Sequence, residues 1–189
     1  MSHADDMTPL FQSWKQRIEI LMREHPLQII SWEATRRCNL NCLHCGSPTE
    51  TVNNEDELTT DEIIGAFDEI AHDFDMSRFR HINITGGEPF VRKDLLDVLQ
   101  AISQRPFYRN IDIQTNGVFI SDHPEVLNEL KGDGVTGLGI SIDGFESTHD
   151  SLRGKPGSWA KAINAARLSV QAGYVVTVSF VAHSKNFQE

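Results

Sequence analysis

Apolar residues follow two alternating rhythms along most of the chain. Short β-like runs cover Leu27–Ala34, His81–Thr85, Asn110–Thr115, Thr136–Ile142 and Val175–Val181. Between them an apolar residue returns every three or four positions, the period of an amphipathic helix. Thr59–Phe74 carries Ile63, Phe67, Ile70 and Phe74 on one stripe, and Thr59-x-x-Glu62 at its head has the pattern of a capping box. Lys93–Arg105 carries Leu95, Leu99 and Ile102. Pro124–Lys131 follows Ser121 and Asp122, with Pro near its start and Gly132 near its end. Ser158–Ala172 runs to Gly173, a residue suited to a helix C-terminal cap. Strand, helix, strand at this spacing predicts parallel strands joined by right-handed crossovers. The expected fold is α/β: an open, partial TIM-like barrel of parallel strands, with about five βα units and four crossover helices. The 189 residues fall short of the roughly 250 that a closed eight-stranded barrel takes.

An N-terminal helical extension is expected over residues 1–26, ahead of a main domain over 27–189. Within it, Pro9–Arg23 reads as a helix with Leu10, Trp14, Ile18 and Leu21 on one face and Phe11 and Met22 beside them. The expectation is a helix that packs on the main domain. Val175–Val181 would be an apolar edge strand if no further strand follows it. Because Glu189 lies just beyond that run, the main domain is expected to be incomplete at its C-terminus, as in a truncated form or a piece of a longer protein. Thr49–Glu57 is a polar, acidic connector.

Charge narrows the function. The formal net charge is -10, from 17 Lys+Arg against 27 Asp+Glu. That balance argues against a nucleic-acid partner, which needs clustered cations. No apolar run approaches the roughly 20 residues needed to span a bilayer. The acidic start, Met1-Ser2-His3-Ala4-Asp5-Asp6, lacks a signal-peptide apolar core, so a cytoplasmic protein with no membrane partner is expected. The three cysteines, Cys38, Cys42 and Cys45, are odd in number and close in sequence. They suit a metal in a reducing compartment better than a disulfide framework.

In parallel βα folds, ligands gather at the C-terminal ends of the strands. Those ends carry the polar chemistry of this chain. The first strand leads into the cysteines, the second into Gly86-Gly87-Glu88-Pro89, the third into Gln114-Thr115-Asn116-Gly117, and the fourth into Ser141-Ile142-Asp143-Gly144 with Arg153 soon after. Three thiolates on one short loop leave a corner of an iron–sulfur cube open. The competing reading is structural zinc with His44 as fourth ligand, although a ligand adjacent to Cys45 would strain the loop. Glu88 offers a carboxylate to an amine, and the two glycines allow a close backbone approach or a sharp turn. Ser141 and Asp143 could hold hydroxyls, and Arg153 could clamp a carboxylate. Taken singly, each of these motifs is also an ordinary turn or a solvated side chain. Taken together they complement an amino acid joined to a nucleoside, and S-adenosylmethionine is such a molecule.

Cys38-x3-Cys42-x2-Cys45, followed after 41 residues by Gly86-Gly87-Glu88-Pro89, then by Ser141-Ile142-Asp143-Gly144 and His149-Asp150-Ser151-Leu152-Arg153, resembles the radical S-adenosylmethionine superfamily. In particular it is similar to the peptide- and cofactor-maturing (SPASM-type) branch. The resemblance covers about residues 27 to 187. It implies a [4Fe–4S] cluster on Cys38, Cys42 and Cys45, with S-adenosylmethionine chelated at the open iron. It further implies that Gly86, Gly87 and Glu88 bind the cofactor's amino group and Arg153 its carboxylate. Ser141 would take the ribose or carboxylate, with Asp143 in the same region. His44 stands where the family usually has an aromatic residue near the adenine. The implied activity is reductive cleavage to a 5′-deoxyadenosyl radical that removes hydrogen from a peptide or protein substrate. An electron donor such as flavodoxin or ferredoxin is implied as a partner. A small-molecule, tetrapyrrole-type substrate and a non-catalytic metal-binding module remain the alternatives. The branch usually continues into a sixth strand and a cysteine-rich domain, so these 189 residues alone are expected to hold a cluster without turning over substrate.

Overall fold

The computed structural model describes residues 8–24, 26–46 and 57–189. Five parallel strands form one sheet: β1 (Ile29–Thr35), β2 (His81–Gly86), β3 (Ile111–Thr115), β4 (Val135–Ser141) and β5 (Val175–Ser179). Their spatial order is the order of the chain, β1-β2-β3-β4-β5. That order has a consequence for layering. A right-handed crossover that always steps in the same direction leaves every helix on the same side of the sheet. Among the described residues, the α-helices after the first strand are α2 (Thr60–Asp73), α3 (Leu95–Ser103), α4 (Val118–Asp122), α5 (Val126–Gly132), α6 (Glu146–Arg153) and α7 (Ser158–Gln171).

The strands therefore alternate instead of being apolar throughout. Ile82 and Ile84, Ile111 and Ile113, Leu138 and Ile140 are all buried. They form one core with Ile63 and Phe67 of α2, Leu95, Val98, Leu99 and Ile102 of α3, Leu127 and Leu130 of α5, and Ala162 and Ala165 of α7. The alternate positions are Asn83, Thr85, Asp112 and Gln114, with Gly137 and Gly139 beside the last two. One face is oily under helices and the other is polar, as in a barrel wall opened out. Tyr108 closes the core at the N-terminal side of β3. Its ring meets Phe67 edge-on at 5.1 Å and Phe79 at 5.5 Å, and its hydroxyl donates to the Phe67 carbonyl at 2.7 Å.

The open, partial barrel matches the sequence expectation, with differences in detail. The stretches 118–122 and 146–153 are helices in addition to the four expected, because the connections after β3 and β4 each hold two. The N-terminal helix α1 (Thr8–Glu24) forms, but among its described side chains Phe11 and Trp14 are exposed and only Ile18 is partly covered. The expectation that it packs on the main domain is not met by those residues: apolar periodicity predicts a helix but not what lies opposite it. Leu10, Leu21 and Met22 of the expected face have side chains outside the described set, and so does most of the connector expected over Thr49–Glu57. Val175 and Val178 of β5 are exposed at the sheet edge, as expected for an edge strand. No described helix is long and apolar enough to cross a membrane.

The capping box at the head of α2 is present in full. Thr59 Oγ1 accepts from the Glu62 backbone at 3.3 Å, and Glu62 Oε2 accepts from the Thr59 backbone at 2.8 Å. Thr59→Ala should lower stability by about 1 kcal/mol, measured as a fall in the urea midpoint with the slope unchanged.

Candidate functional site

The loop that follows β1 carries all three cysteines, and its neighbours hold it by the backbone. The Gly87 N–H donates to the Thr35 carbonyl at 2.7 Å and the Glu88 N–H to the Arg37 carbonyl at 2.9 Å. A β-carbon on Gly86 would run into Thr35, and one on Gly87 into Arg37. The two glycines are thus required first by the approach of β2's end to the start of the cysteine loop. On the far side, the Leu43 N–H donates to the Leu152 carbonyl at 2.8 Å. Gly154, left-handed at φ +68°, caps α6 and lies against the Asn41 carbonyl with no room for a side chain. A third tie comes from β3: Asn116 Nδ2 donates to Asn39 Oδ1 at 2.7 Å.

A cleft of about 280 Å³ opens where these elements meet, lined by Cys38, Cys42, Cys45, His44, Gly86, Gly87, Ser141 and Arg153 of the expected set. Cys38 and Cys42 are half-buried and Cys45 is exposed. Burial pushes the Cys38 and Cys42 thiols up, and at Cys42 the Arg153 guanidinium works in the opposite direction. Arg153 Nη1 stands 3.9 Å from Cys42 Sγ. Sequence reasoning assigned no role to Leu40, Thr85, Gln114, Asn116, Ser179 and Val181, which also line the cleft. Leu40 lies within the cysteine loop, and for the others a position at or just past a strand end was the available signal. Gln114 lies across Gly139, where a β-carbon would collide with it, and its Oε1 accepts from Ser179 Oγ at 2.8 Å.

Two of the expected residues do not line this cleft. Glu88 is 1% exposed, and its carboxylate accepts from Thr115 Oγ1 and from the Asn116 N–H, both at 2.7 Å. Asp143 is fully buried. Its Oδ1 accepts from the Val181 N–H at 3.0 Å, its carbonyl accepts from Asn186 Nδ2 at 3.0 Å, and its N–H donates to His149 Nδ1 at 3.1 Å. Arg153 Nε is 2.7 Å and His44 Nε2 3.2 Å from Asp143 Oδ2. The Arg153 approach is off the hydrogen-bond axis and leaves an ionic contact, whereas the His44 approach is ionic only when the imidazole is protonated. Both acids are short side chains at strand ends that point into the wall, where the last backbone donors of neighbouring strands need acceptors. Burial holds the His44 imidazole below its ordinary value against the pull of Asp143, and its Nδ1 is buried without a partner among the described residues.

The donor chemistry suits an iron–sulfur cluster. Three thiols line one cleft without converging: among the described residues no three His, Cys, Asp or Glu side chains meet at a point that one ion could occupy. Thiolates are the ligands that iron–sulfur clusters take. His44, the fourth ligand of the zinc alternative, has its Nε2 turned to Asp143.

Residues 32–187 match the Radical SAM superfamily. A curated relative, the AdoMet-dependent heme synthase of Methanosarcina barkeri, is 33% identical over 165 residues, covering 86% of this chain and 44% of that protein. The PqqA peptide cyclase of Granulibacter bethesdensis is 30% identical over 166 residues, covering 87% of this chain and 42% of that one. The chain therefore spans less than half the length of these relatives. Among solved structures, Streptococcus suis SuiB bound to its precursor peptide SuiA superposes with a TM-score of 0.69 at 16% identity, over 98% of this chain and 40% of that one. At that identity the likeness is one of fold.

The buried carboxylate of Glu88 has a measurable signature. Burial pushes its pKa up to about 7, against the donors Asn116 and Thr115 that pull it down. Below the ordinary value of 4.5 both folded and unfolded chains are protonated there. Between 4.5 and about 7 only the unfolded chain releases the proton, so this group costs stability as pH rises and the full cost stands above pH 7. Glu88→Gln should remove that slope. Its stability relative to the parent should rise by about 3 kcal/mol from pH 4.5 to 8 in urea titrations, whatever constant offset the lost acceptor oxygen adds.

Proposed function

Because the chain belongs to the radical SAM superfamily, whose members are enzymes using a [4Fe–4S] cluster and S-adenosylmethionine, we propose that it forms the core of a radical enzyme acting on a peptide or protein side chain. The observation that carries the reading is the three cysteines lining one cleft beside Gly86, Gly87, Ser141 and Arg153. Cys38, Cys42 and Cys45 would hold the cluster. When bound, cluster and S-adenosylmethionine together supply one-electron cleavage of a sulfonium and a carbon radical that takes hydrogen from the substrate.

The chain's own residues bind and orient. The backbone at Gly86 and Gly87 offers polar groups to the cofactor's amino end, in a wall stiffened from behind by Glu88. Ser141 and the outer donors of Arg153 would take its carboxylate or hydroxyls. His44 would sit beside the base. Asp143 orients His44 and Arg153 and touches no ligand. The polar face of the sheet, with Asn83, Asp112 and Gln114, offers amide and carboxylate partners to a peptide entering from the strand ends. The peptide cyclase among the relatives points the same way. A single-electron donor of the flavodoxin or ferredoxin type would reduce the cluster.

The heme synthase relative favours a second reading, a tetrapyrrole substrate. Cross-linking trials of the intact polypeptide with a panel of peptides and tetrapyrroles would separate the two.

Anaerobic reconstitution with iron and sulfide should load about four irons per chain. Replacing any one of Cys38, Cys42 or Cys45 by Ala should lower bound iron by more than about tenfold. Colourless, iron-free wild-type protein after reconstitution would remove the reading.

A further inference from the structure

We propose that Arg153, anchored by the buried Asp143, is the charge partner of the Cys42 thiolate and makes the cluster held there easier to reduce. This rests on the reading of Cys38, Cys42 and Cys45 as cluster ligands, and it assigns Arg153 a task that precedes any contact with S-adenosylmethionine.

Three features build the contact. Arg153 is the last residue of α6, and the backbone on both sides of it is fixed to the cysteine loop: the Leu152 carbonyl accepts from the Leu43 N–H at 2.8 Å, and Gly154 lies on the Asn41 carbonyl. The Arg153 side chain is only 11% exposed, with Nε 2.7 Å from Asp143 Oδ2. Asp143 cannot follow a swinging side chain, since its other oxygen, its carbonyl and its N–H are engaged by Val181, Asn186 and His149. With both ends fixed, Nη1 comes to 3.9 Å from Cys42 Sγ. A simple ion pair with Asp143 needs Nε alone. The second nitrogen over the sulfur is the surplus that the pair does not explain.

The direction of the effect follows from charge. Adding an electron makes the thiolate-ligated cluster more negative, and hydrogen bonds and cations at its sulfurs favour the reduced form. Asp143 carries the opposite charge, but it is the guanidinium that comes to 3.9 Å from the sulfur. Two Arg153 N–H groups can act here while others of its five donors remain for a carboxylate, so the two tasks are compatible.

The test compares wild type, Arg153→Lys and Arg153→Gln after anaerobic reconstitution. Iron content is measured, and redox titrations are followed by the electron paramagnetic resonance of the reduced cluster, first without S-adenosylmethionine. Without that ligand, Arg153→Gln should show about a tenfold lower ratio of reduced to oxidised cluster at a given potential, about 59 mV for one electron. Arg153→Lys, which keeps the charge but not the fork, should fall between. In an Asp143→Asn background the Arg153→Gln step should shrink. If Arg153→Gln loses iron, retention by Arg153→Lys supports the proposal and loss by both overturns it. An Arg153→Gln potential equal to wild type without the ligand also overturns it, even if affinity for S-adenosylmethionine falls, which would leave Arg153 as a carboxylate clamp only. An undiminished step in the Asp143→Asn background removes Asp143 as the positioning residue. Failure of the cluster reading itself shows separately, as wild-type protein without iron.

Discussion

The site depends on peptide groups meeting at closer range than side chains allow. A short loop bearing three thiols has no regular structure of its own to fix it. Here it is gripped from β2 by the N–H groups of Gly87 and Glu88, and from α6 by the Leu152 carbonyl and by Gly154. The approach requires glycine at Gly86, Gly87 and Gly154, since a β-carbon would meet the backbone of Thr35 at the end of β1, or that of Arg37 or Asn41 in the loop. Donor geometry thereby becomes a property of the sheet. A thiol placed on a rigid element keeps its direction when its ligand is absent, which lowers the ordering cost of binding.

Behind that grip lie two buried carboxylates. Glu88 gathers Thr115 and Asn116 of β3's end onto β2's end, and Asn116 in turn reaches the cysteine loop through Asn39. Asp143 does the same for β4, α6 and the segment after β5. Taking a carboxylate out of water is costly unless donors replace the solvent. Strand ends provide such donors, because the ladder runs out there and leaves N–H groups unpaired. The acids at the rim thus act as mortar between elements, and the cleft is faced with glycine backbone, hydroxyl, amide and thiol.

Much of this was legible in the linear pattern. Ile82/Ile84, Ile111/Ile113 and Leu138/Ile140 announce strands, and Thr59 with Glu62 announces the start of α2, because propensity, periodicity and capping are local effects. The candidate donors were equally visible, since Cys38, Cys42 and Cys45 are adjacent and the other groups follow recognisable strand runs. The short helices at 118–122 and 146–153 were not legible. Each is under three turns, too short for periodicity to register. Nor was the exposure of Phe11 and Trp14 on α1, since a stripe of apolar residues carries no record of its partner.

What the chain by itself determined is the inventory: parallel βα units, a thiol loop, and polar groups at successive strand ends. Only the tertiary structure decided which of those groups face the cleft. Glu88 and Asp143 are buried, with their carboxylates accepting from the backbone N–H groups of Asn116 and Val181, a placement set by strand order and by the step of each crossover and carried by no residue alone.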